Sequence, residues 1–178
     1  MNHALSDLER FLHETDLPLL VQLAVAHYQF EVIHPFLDGN GRIGRLMIPL
    51  MLVLREALPQ PLLYLSAYLE QHRSEYYDHL LVTSQKGDLM PWIAFFLRGV
   101  RRQSRDSEER TVRLVELQHQ LRNELLDEGR PNSVVRLAEQ LFAVPLVTAP
   151  RVEAAIGVTR PTAQAAIDAL VERGDLTE

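Results

Sequence analysis

The sequence predicts an all-α protein, built as a helical bundle followed by a long helix and a small helix-turn-helix domain. Apolar residues recur at spacings of three and four along most of the chain, which is typical of amphipathic helices. Alternating patterns typical of strands are scarce. Pro and Gly stand at most of the places where one apolar pattern stops and the next begins.

Composition limits the kinds of protein to which this chain can belong. Its 178 residues are enough for one domain with a small appendage. Without cysteine it has no disulfide, thiolate metal site or cysteine nucleophile, and a net charge of -6 opposes general attraction to nucleic acid or anionic membranes. No apolar stretch is long enough to span a membrane and no secretory signal opens the chain, so we expect a cytoplasmic protein.

The first two predicted helices cover residues 6–14 and 17–33. Asp16 is the expected N-cap of the second helix, which is apolar around most of its circumference and therefore central in the bundle. The pair His34-Pro35 ends this helix, because the residue before a proline is disfavoured in helical geometry.

A polar loop at residues 37–41 leads into the third predicted helix. This helix begins near Arg42 and continues through the apolar residues 46–54. Pro49 lies inside it and leaves one backbone carbonyl without its donor, so we expect a kink there.

The next predicted helices are longer and more polar. Ser66 is the expected cap of a helix over residues 67–86, and Pro91 stands in the first turn of the following one. That helix continues as a long two-faced helix to about Asp127, with Gly99 as its candidate break.

After Pro131 the pattern changes to short helices. Three are predicted, over residues 134–142, 150–156 and 159–173, and their spacing is typical of a helix-turn-helix. Arg160 and Gln164 could contact DNA, but residues 131–178 hold 4 basic against 6 acidic groups. Readers of DNA are usually basic, so this charge favours contact with a protein or with a second copy of the chain.

The loop before the third helix combines residue types suited to binding phosphate. Gly39 and Gly41 let backbone N–H groups approach an anion, and the start of the helix adds unpaired donors. Arg42 and Arg45 are three residues apart, so both can clamp phosphate oxygens from one face of the helix.

Two further side chains suit the chemistry of a nucleoside triphosphate. Asp38 supplies one hard oxygen for Mg²⁺, which prefers few carboxylates together with phosphate oxygens. His34 is the best proton acceptor nearby. Each signal alone also fits an ordinary turn, cap or solvated surface; their convergence within residues 34–45 indicates a functional site.

Residues 34–45, HPFLDGNGRIGR, match the signature of the Fic (filamentation induced by cAMP) family at every fixed position. Residues 26–31, 65–81 and 87–97 also resemble the family's helices, so the resemblance covers residues 5–100. It implies an all-helical core and a Mg²⁺-dependent transfer of AMP from ATP to a hydroxyl group on a target protein, which could be the chain itself.

The resemblance also implies a role for each residue of the motif. His34 would deprotonate the target hydroxyl, and Asp38 would hold Mg²⁺ between the α- and β-phosphates. Gly39-Asn40-Gly41, including the Asn40 side chain, would form the anion hole. Arg42 would bind the β-phosphate and Arg45 the γ-phosphate.

Four other residues are assigned in the same way. Phe36 would anchor the loop in the core, and Gly44 would permit close approach beside the phosphates. Tyr76 and Tyr77 would lie near the adenine pocket, although ordinary helix packing explains them equally well.

The resemblance divides the chain into a Fic core at residues 1–100, a connecting helix at 101–130 and a winged-helix-like domain at 131–178. The family's flap and inhibitory helix are not found in this sequence, and the tail stops before a complete wing. We therefore expect an N-terminally truncated protein that performs hydrolysis or a weak, unselective transfer.

Other functions stay open at this point. The motif also fits related transferases that move phosphate, UMP or phosphocholine, although the pair Gly41-Arg42 resembles the AMP-transferring branch. A different class is a DNA-binding regulator with a nucleotide-sensing helical core. Assembly into a homo-oligomer is a further alternative.

Overall fold

A computed structural model describes residues 2–13 and 16–177. In these two ranges the chain forms helices and no strand, which confirms the all-α prediction. The chain divides after Glu108 into two compact units. The helices are α1 (Asn2–His13), α2 (Leu19–Ile33), α3 (Asn40–Leu54), α4 (Leu65–Gln71), α5 (Arg73–Lys86), α6 (Met90–Asp127), α7 (Asn132–Leu141), α8 (Ala149–Ile156) and α9 (Arg160–Arg173).

The core of the first unit surrounds α2. Leu23 and Ala24 of this helix pack in one cluster with the fully buried Trp92 and Phe96 of α6. The indole Nε1 of Trp92 donates to the Ala24 carbonyl oxygen over 2.7 Å, so the polar atom of the largest buried side chain has a partner. The central, buried position predicted for the second helix is confirmed.

The beginning of α2 differs from the prediction. The residue that precedes the helix is Pro18, and no side chain caps it, so the N-cap expected at Asp16 is wrong. Proline fixes its own φ and therefore suits the entry to a helix without a side-chain acceptor. Glu14, the predicted end of the first helix, lies outside the described residues.

The segment predicted as one helix over residues 67–86 is two helices. Ser66 lies inside α4 and does not cap it, because α4 begins at Leu65. The interruption falls at His72, whose ring stacks on Tyr68 at 4.2 Å and whose Nδ1 lies 2.9 Å from the Tyr68 carbonyl oxygen. A side chain that bonds to the carbonyl four residues earlier competes with the regular helical pattern.

The break predicted at Gly99 does not occur, because α6 is continuous through this residue. A Cβ atom at this position would lie 2.5 Å from Cδ1 of Tyr68 and 2.9 Å from Cδ1 of Leu65. The glycine therefore lets α6 pack closely against α4, and the helix continues to Asp127 as expected.

In the second unit, α7, α8 and α9 enclose a core with Leu125 near the end of α6. Leu137 and Leu170 are fully buried in this core. Arg173 at the end of α9 pairs with Glu128 at 2.9 Å, which ties α9 to the residues that follow α6. The helix-turn-helix order is present, but no strand occurs up to residue 177, so the wing is not confirmed.

Among the described helices, none combines the length and the apolar character needed to cross a membrane.

Candidate active site

His34 terminates α2 in an unusual backbone conformation. Its φ of 48° and ψ of 59° lie in the left-handed region, and its N–H donates to the Phe30 carbonyl oxygen over 3.0 Å. The proline that follows disfavours right-handed helical geometry at His34, so the chain leaves the helix at this point. The imidazole is exposed at the rim of the loop.

Asn40 closes the loop between α2 and α3. Its buried side chain accepts a hydrogen bond from the Phe36 N–H at 2.9 Å and donates one to the Phe36 carbonyl oxygen at 2.6 Å. The amide therefore fixes both backbone groups of Phe36 and holds residues 36–40 in one conformation. One N–H of the amide is left for the predicted anion hole, and that role stays a prediction.

The first turn of α3 presents unpaired backbone donors. Gly39 precedes the helix with a left-handed φ of 84°, and the Ile43 N–H donates to its carbonyl oxygen over 3.0 Å. The N–H groups of Asn40, Gly41 and Arg42 precede this first helical bond. Such a helix start attracts anions.

Both predicted arginines fold back over this turn. Nη2 of Arg42 lies 3.5 Å from the place of a Cβ atom on Gly39, and Nη1 of Arg45 lies 2.9 Å from the corresponding place on Gly41. The two guanidinium groups thus converge on the glycines of the loop, which have no side chain to keep them away.

Asp38 is the exposed carboxylate of the loop. Its side chain is 92% exposed and pairs with Arg42, with 3.1 Å between Oδ2 and Nη2. No group of three or more His, Asp or Glu side chains that could hold a metal occurs in residues 2–13 and 16–177. A single accessible carboxylate fits Mg²⁺ that arrives with phosphate oxygens, and it does not form a complete protein cage.

A set of buried side chains that the sequence did not reveal lies beneath the loop. The buried polar cluster consists of His27, Glu31 and Tyr76. Nδ1 of His27 lies 3.1 Å from the Gly44 carbonyl oxygen, and Nε2 lies 3.1 Å from the Tyr76 hydroxyl. Since a carbonyl only accepts, Nδ1 carries the proton and Nε2 accepts from the tyrosine. The cluster therefore connects α2 with both α3 and α5.

Burial controls the charge of this cluster. It lowers the pKa of His27 to about 4, so the imidazole is neutral at neutral pH. It raises the pKa of the Glu31 carboxyl, against the attraction of Arg45 and His34. It also raises the pKa of the Tyr76 hydroxyl, assisted by Glu31. The sequence signal for this cluster is the position of a histidine and a glutamate in the otherwise apolar α2, because polar side chains in a buried helix need buried partners.

The remaining predicted residues occupy different environments. Tyr76 is 3% exposed and belongs to the core, whereas Tyr77 is 53% exposed and has Arg73 over its ring at 5.8 Å. Their predicted place beside adenine stays a prediction. Phe36 is 48% exposed, and the centroid of its ring lies 6.3 Å from that of Phe30. It therefore covers the edge of the core instead of being an anchor inside it.

Known proteins resemble this chain in both sequence and structure. A model of the Fic/DOC family matches residues 1–52, which include the complete loop. The protein adenylyltransferase Fic of Aedes aegypti is 36% identical over 116 residues, which is 61% of this chain. Residues 1–52 thus resemble the Fic/DOC family. The corresponding protein of Culex quinquefasciatus is 38% identical over 91 residues.

The chain corresponds to a small part of these relatives. It spans 20% of the Aedes aegypti protein and 15% of the Culex quinquefasciatus protein. A solved Fic family protein from Desulfovibrio desulfuricans G20 is similar to 97% of the chain, with a TM-score of 0.59 and 26% identity, and the chain covers 48% of that structure. The similarity of fold thus extends beyond residues 1–52.

Proposed function

We propose that this protein is an adenylyltransferase that moves AMP from ATP to a hydroxyl side chain of a target protein. The observation that carries the proposal is the convergence of the Arg42 and Arg45 guanidinium groups on the first turn of α3, at the end of the loop that begins with the exposed His34. The name that the curated relatives bear supports the reaction type.

The proposal gives each group a role in the transfer. The His34 imidazole takes the proton of the target hydroxyl as its oxygen forms a bond to the α-phosphorus. The bond between the α-phosphorus and the oxygen shared with the β-phosphate breaks, and pyrophosphate leaves with the electron pair. Arg42, Arg45 and the backbone N–H groups of Gly39-Asn40-Gly41 stabilise the charge that develops on the phosphates.

Mg²⁺ is part of the proposal, with Asp38 as its protein ligand. Held there, the ion would neutralise negative charge on the phosphates of the nucleotide. Oδ2 of Asp38 is exposed and lies 3.1 Å from Nη2 of Arg42, so the carboxylate that would hold the ion is next to an arginine that would bind phosphate.

The experiment that tests the proposal compares two labels. The protein is incubated with a candidate target, or alone, with Mg²⁺ and ATP labelled in either the α- or the γ-phosphate. Transfer of AMP places the α-label on protein and leaves the γ-label in pyrophosphate. Protein labelled by the γ-phosphate alone would instead indicate a phosphate-transferring member of the family.

A cytoplasmic location accompanies this proposal, since ATP is the donor. Self-modification is the simplest form of the reaction, because exposed tyrosines such as Tyr64 and Tyr77 are available.

A further inference from the structure

One face of α3 is apolar and exposed. Its exposed apolar side chains, which we call the α3 stripe, are those of Ile43, Leu46, Leu50 and Leu54. Each of them is between 40% and 65% exposed. At about 3.6 residues per turn, the stripe lies on the side of the helix opposite Gly44, Ile48 and Leu52, which are buried. The helix is therefore apolar towards the core and also towards the solvent.

The α3 stripe contains no charged group. Residues 46–54 are all apolar, and the charged side chains of α3 lie in its first two turns. There Arg42 pairs with Asp38, and Arg45 extends to Gly41. A face without charge offers no counter-ion to an acidic or a basic segment, so burial of apolar surface is the gain that a partner can obtain from it. Contiguous exposed apolar surface of this kind marks a site of interaction.

The spacing of the stripe makes it complementary to itself. Leu46, Leu50 and Leu54 are separated by four residues and form one ridge of the helix surface, with Ile43 and Met47 on the adjacent ridge. In the commonest class of helix packing, such a ridge fits into the groove between two ridges of another helix. A two-fold axis through Leu50 would place Leu46 of each copy opposite Leu54 of the other, so one surface satisfies both sides of a closed dimer.

We propose that the α3 stripe binds the α3 stripe of a second copy of this chain, with the two helices antiparallel and Leu50 on the two-fold axis. This orientation brings the start of each helix towards the end of the other. The exposed Arg42 of one copy then approaches the exposed Glu56 of the other, so the charges at the two ends of the stripe are complementary. The inference does not depend on the proposed function.

A membrane surface is the less suitable occupant of the stripe. A helix that lies on a membrane has Lys or Arg along its polar face, and attraction to anionic lipids adds to its binding. The side of α3 opposite the stripe is instead buried in the protein, and the chain has a net charge of -6. These properties favour a protein surface, and an uncharged one, as the partner.

Sedimentation equilibrium of the full chain measures the predicted association. A standard interface buries about 800 Å² on each partner, which one face of a helix about 20 Å long does not supply by itself. We therefore expect a reversible dimer with a Kd in the micromolar range. The wild type should change from monomer to dimer as its concentration is raised through this range.

Three variants test the position of the axis. Leu50→Arg and Leu50→Glu each place two like charges opposite each other, so each should weaken the dimer at least about 100-fold. Leu62→Arg, at a leucine that is 59% exposed outside the stripe, is the matched control and should dimerise as the wild type does. An equal mixture of Leu50→Arg and Leu50→Glu should dimerise again, because opposite charges then meet on the axis. Melting temperatures should match that of the wild type, since the Leu50 side chain is half-exposed.

A wild type that stays monomeric at every concentration overturns the inference, and so does a dimer that survives Leu50→Arg. A mixture of the two charged variants that stays monomeric refutes the antiparallel pairing about Leu50. Vesicles of phosphatidylcholine and phosphatidylserine provide the remaining arm. Binding of the wild type to these vesicles without dimerisation, lost in Leu50→Arg, would assign the stripe to lipid and overturn the inference as well.

Discussion

The loop at residues 34–45 and the buried polar cluster beneath it are built from similar side chains in opposite ways. In the loop, His34, Asp38 and Arg42 are exposed, and Arg42 bonds to Asp38, four residues away. In the cluster, His27 is fully buried and reaches Gly44 and Tyr76, which lie 17 and 49 residues away. The loop depends on its own backbone, and the cluster depends on the completed fold.

This difference predicts which variants change the reaction and which change the stability of the fold. When an exposed group is replaced, water can bond to its former partner, so the loss should affect the reaction much more than the fold. Buried polar groups leave their partners without hydrogen bonds when they are replaced, so their loss should affect stability and its dependence on pH. Variants in the two regions should therefore change different measurements.

The largest expected effect comes from His34→Asn in the loop. Asparagine tolerates the left-handed conformation that His34 adopts, but it cannot act as a base near neutral pH. We expect AMP transfer to fall at least about 100-fold, because a positioned general base contributes about 10²- to 10⁴-fold. ATP affinity and melting temperature should match those of the wild type.

His119→Asn, at an exposed histidine of α6, is the control for this change. A His34→Asn protein that transfers AMP at the wild-type rate would remove the imidazole from the mechanism. One that loses ATP binding to the same extent as transfer would place His34 in nucleotide binding instead.

In the buried polar cluster, His27 should make stability depend on pH. The folded protein takes up a proton on His27 only near pH 4, whereas the unfolded chain does so near its ordinary pKa of 6.5. The free energy of unfolding should therefore decrease as the pH falls from 6.5 towards 4, by about 2 kcal/mol at pH 5. Glu31, with a raised pKa, contributes in the opposite direction.

Urea unfolding of the wild type and of His27→Gln between pH 7 and pH 5 isolates this contribution. The variant should be less stable at pH 7, and its stability should decrease less on acidification. His119→Gln should follow the wild type. Parallel curves for wild type and His27→Gln would contradict the burial of a neutral imidazole.

The features of the fold and the site that follow from neighbouring residues could be predicted from the sequence. The end of α2 before Pro35, the long α6 and the two arginines on one turn all depend on spacings of a few residues. The sequence pattern also shows that α2 is central, since it is apolar on nearly every side.

The features that depend on distant contacts could not. The continuous α6 at Gly99 follows from its close contact with Tyr68 of α4. The space that Gly44 leaves for Glu31 is set by how α2 and α3 pack together, which no local spacing specifies.

The smallest expected effect is that of Arg42→Ala on stability. Its ion pair with Asp38 joins side chains that are 75% and 92% exposed, and such pairs contribute at most about 1 kcal/mol. The midpoint of urea unfolding should therefore remain close to that of the wild type and of Arg101→Ala, an exposed arginine of α6. A large loss of stability would show that the loop is held by its charged groups and not by its backbone and Asn40, so the contrast between the two regions would no longer hold. Because the backbone donors remain in Arg42→Ala, any loss of AMP transfer in this variant measures what the guanidinium adds to the helix start.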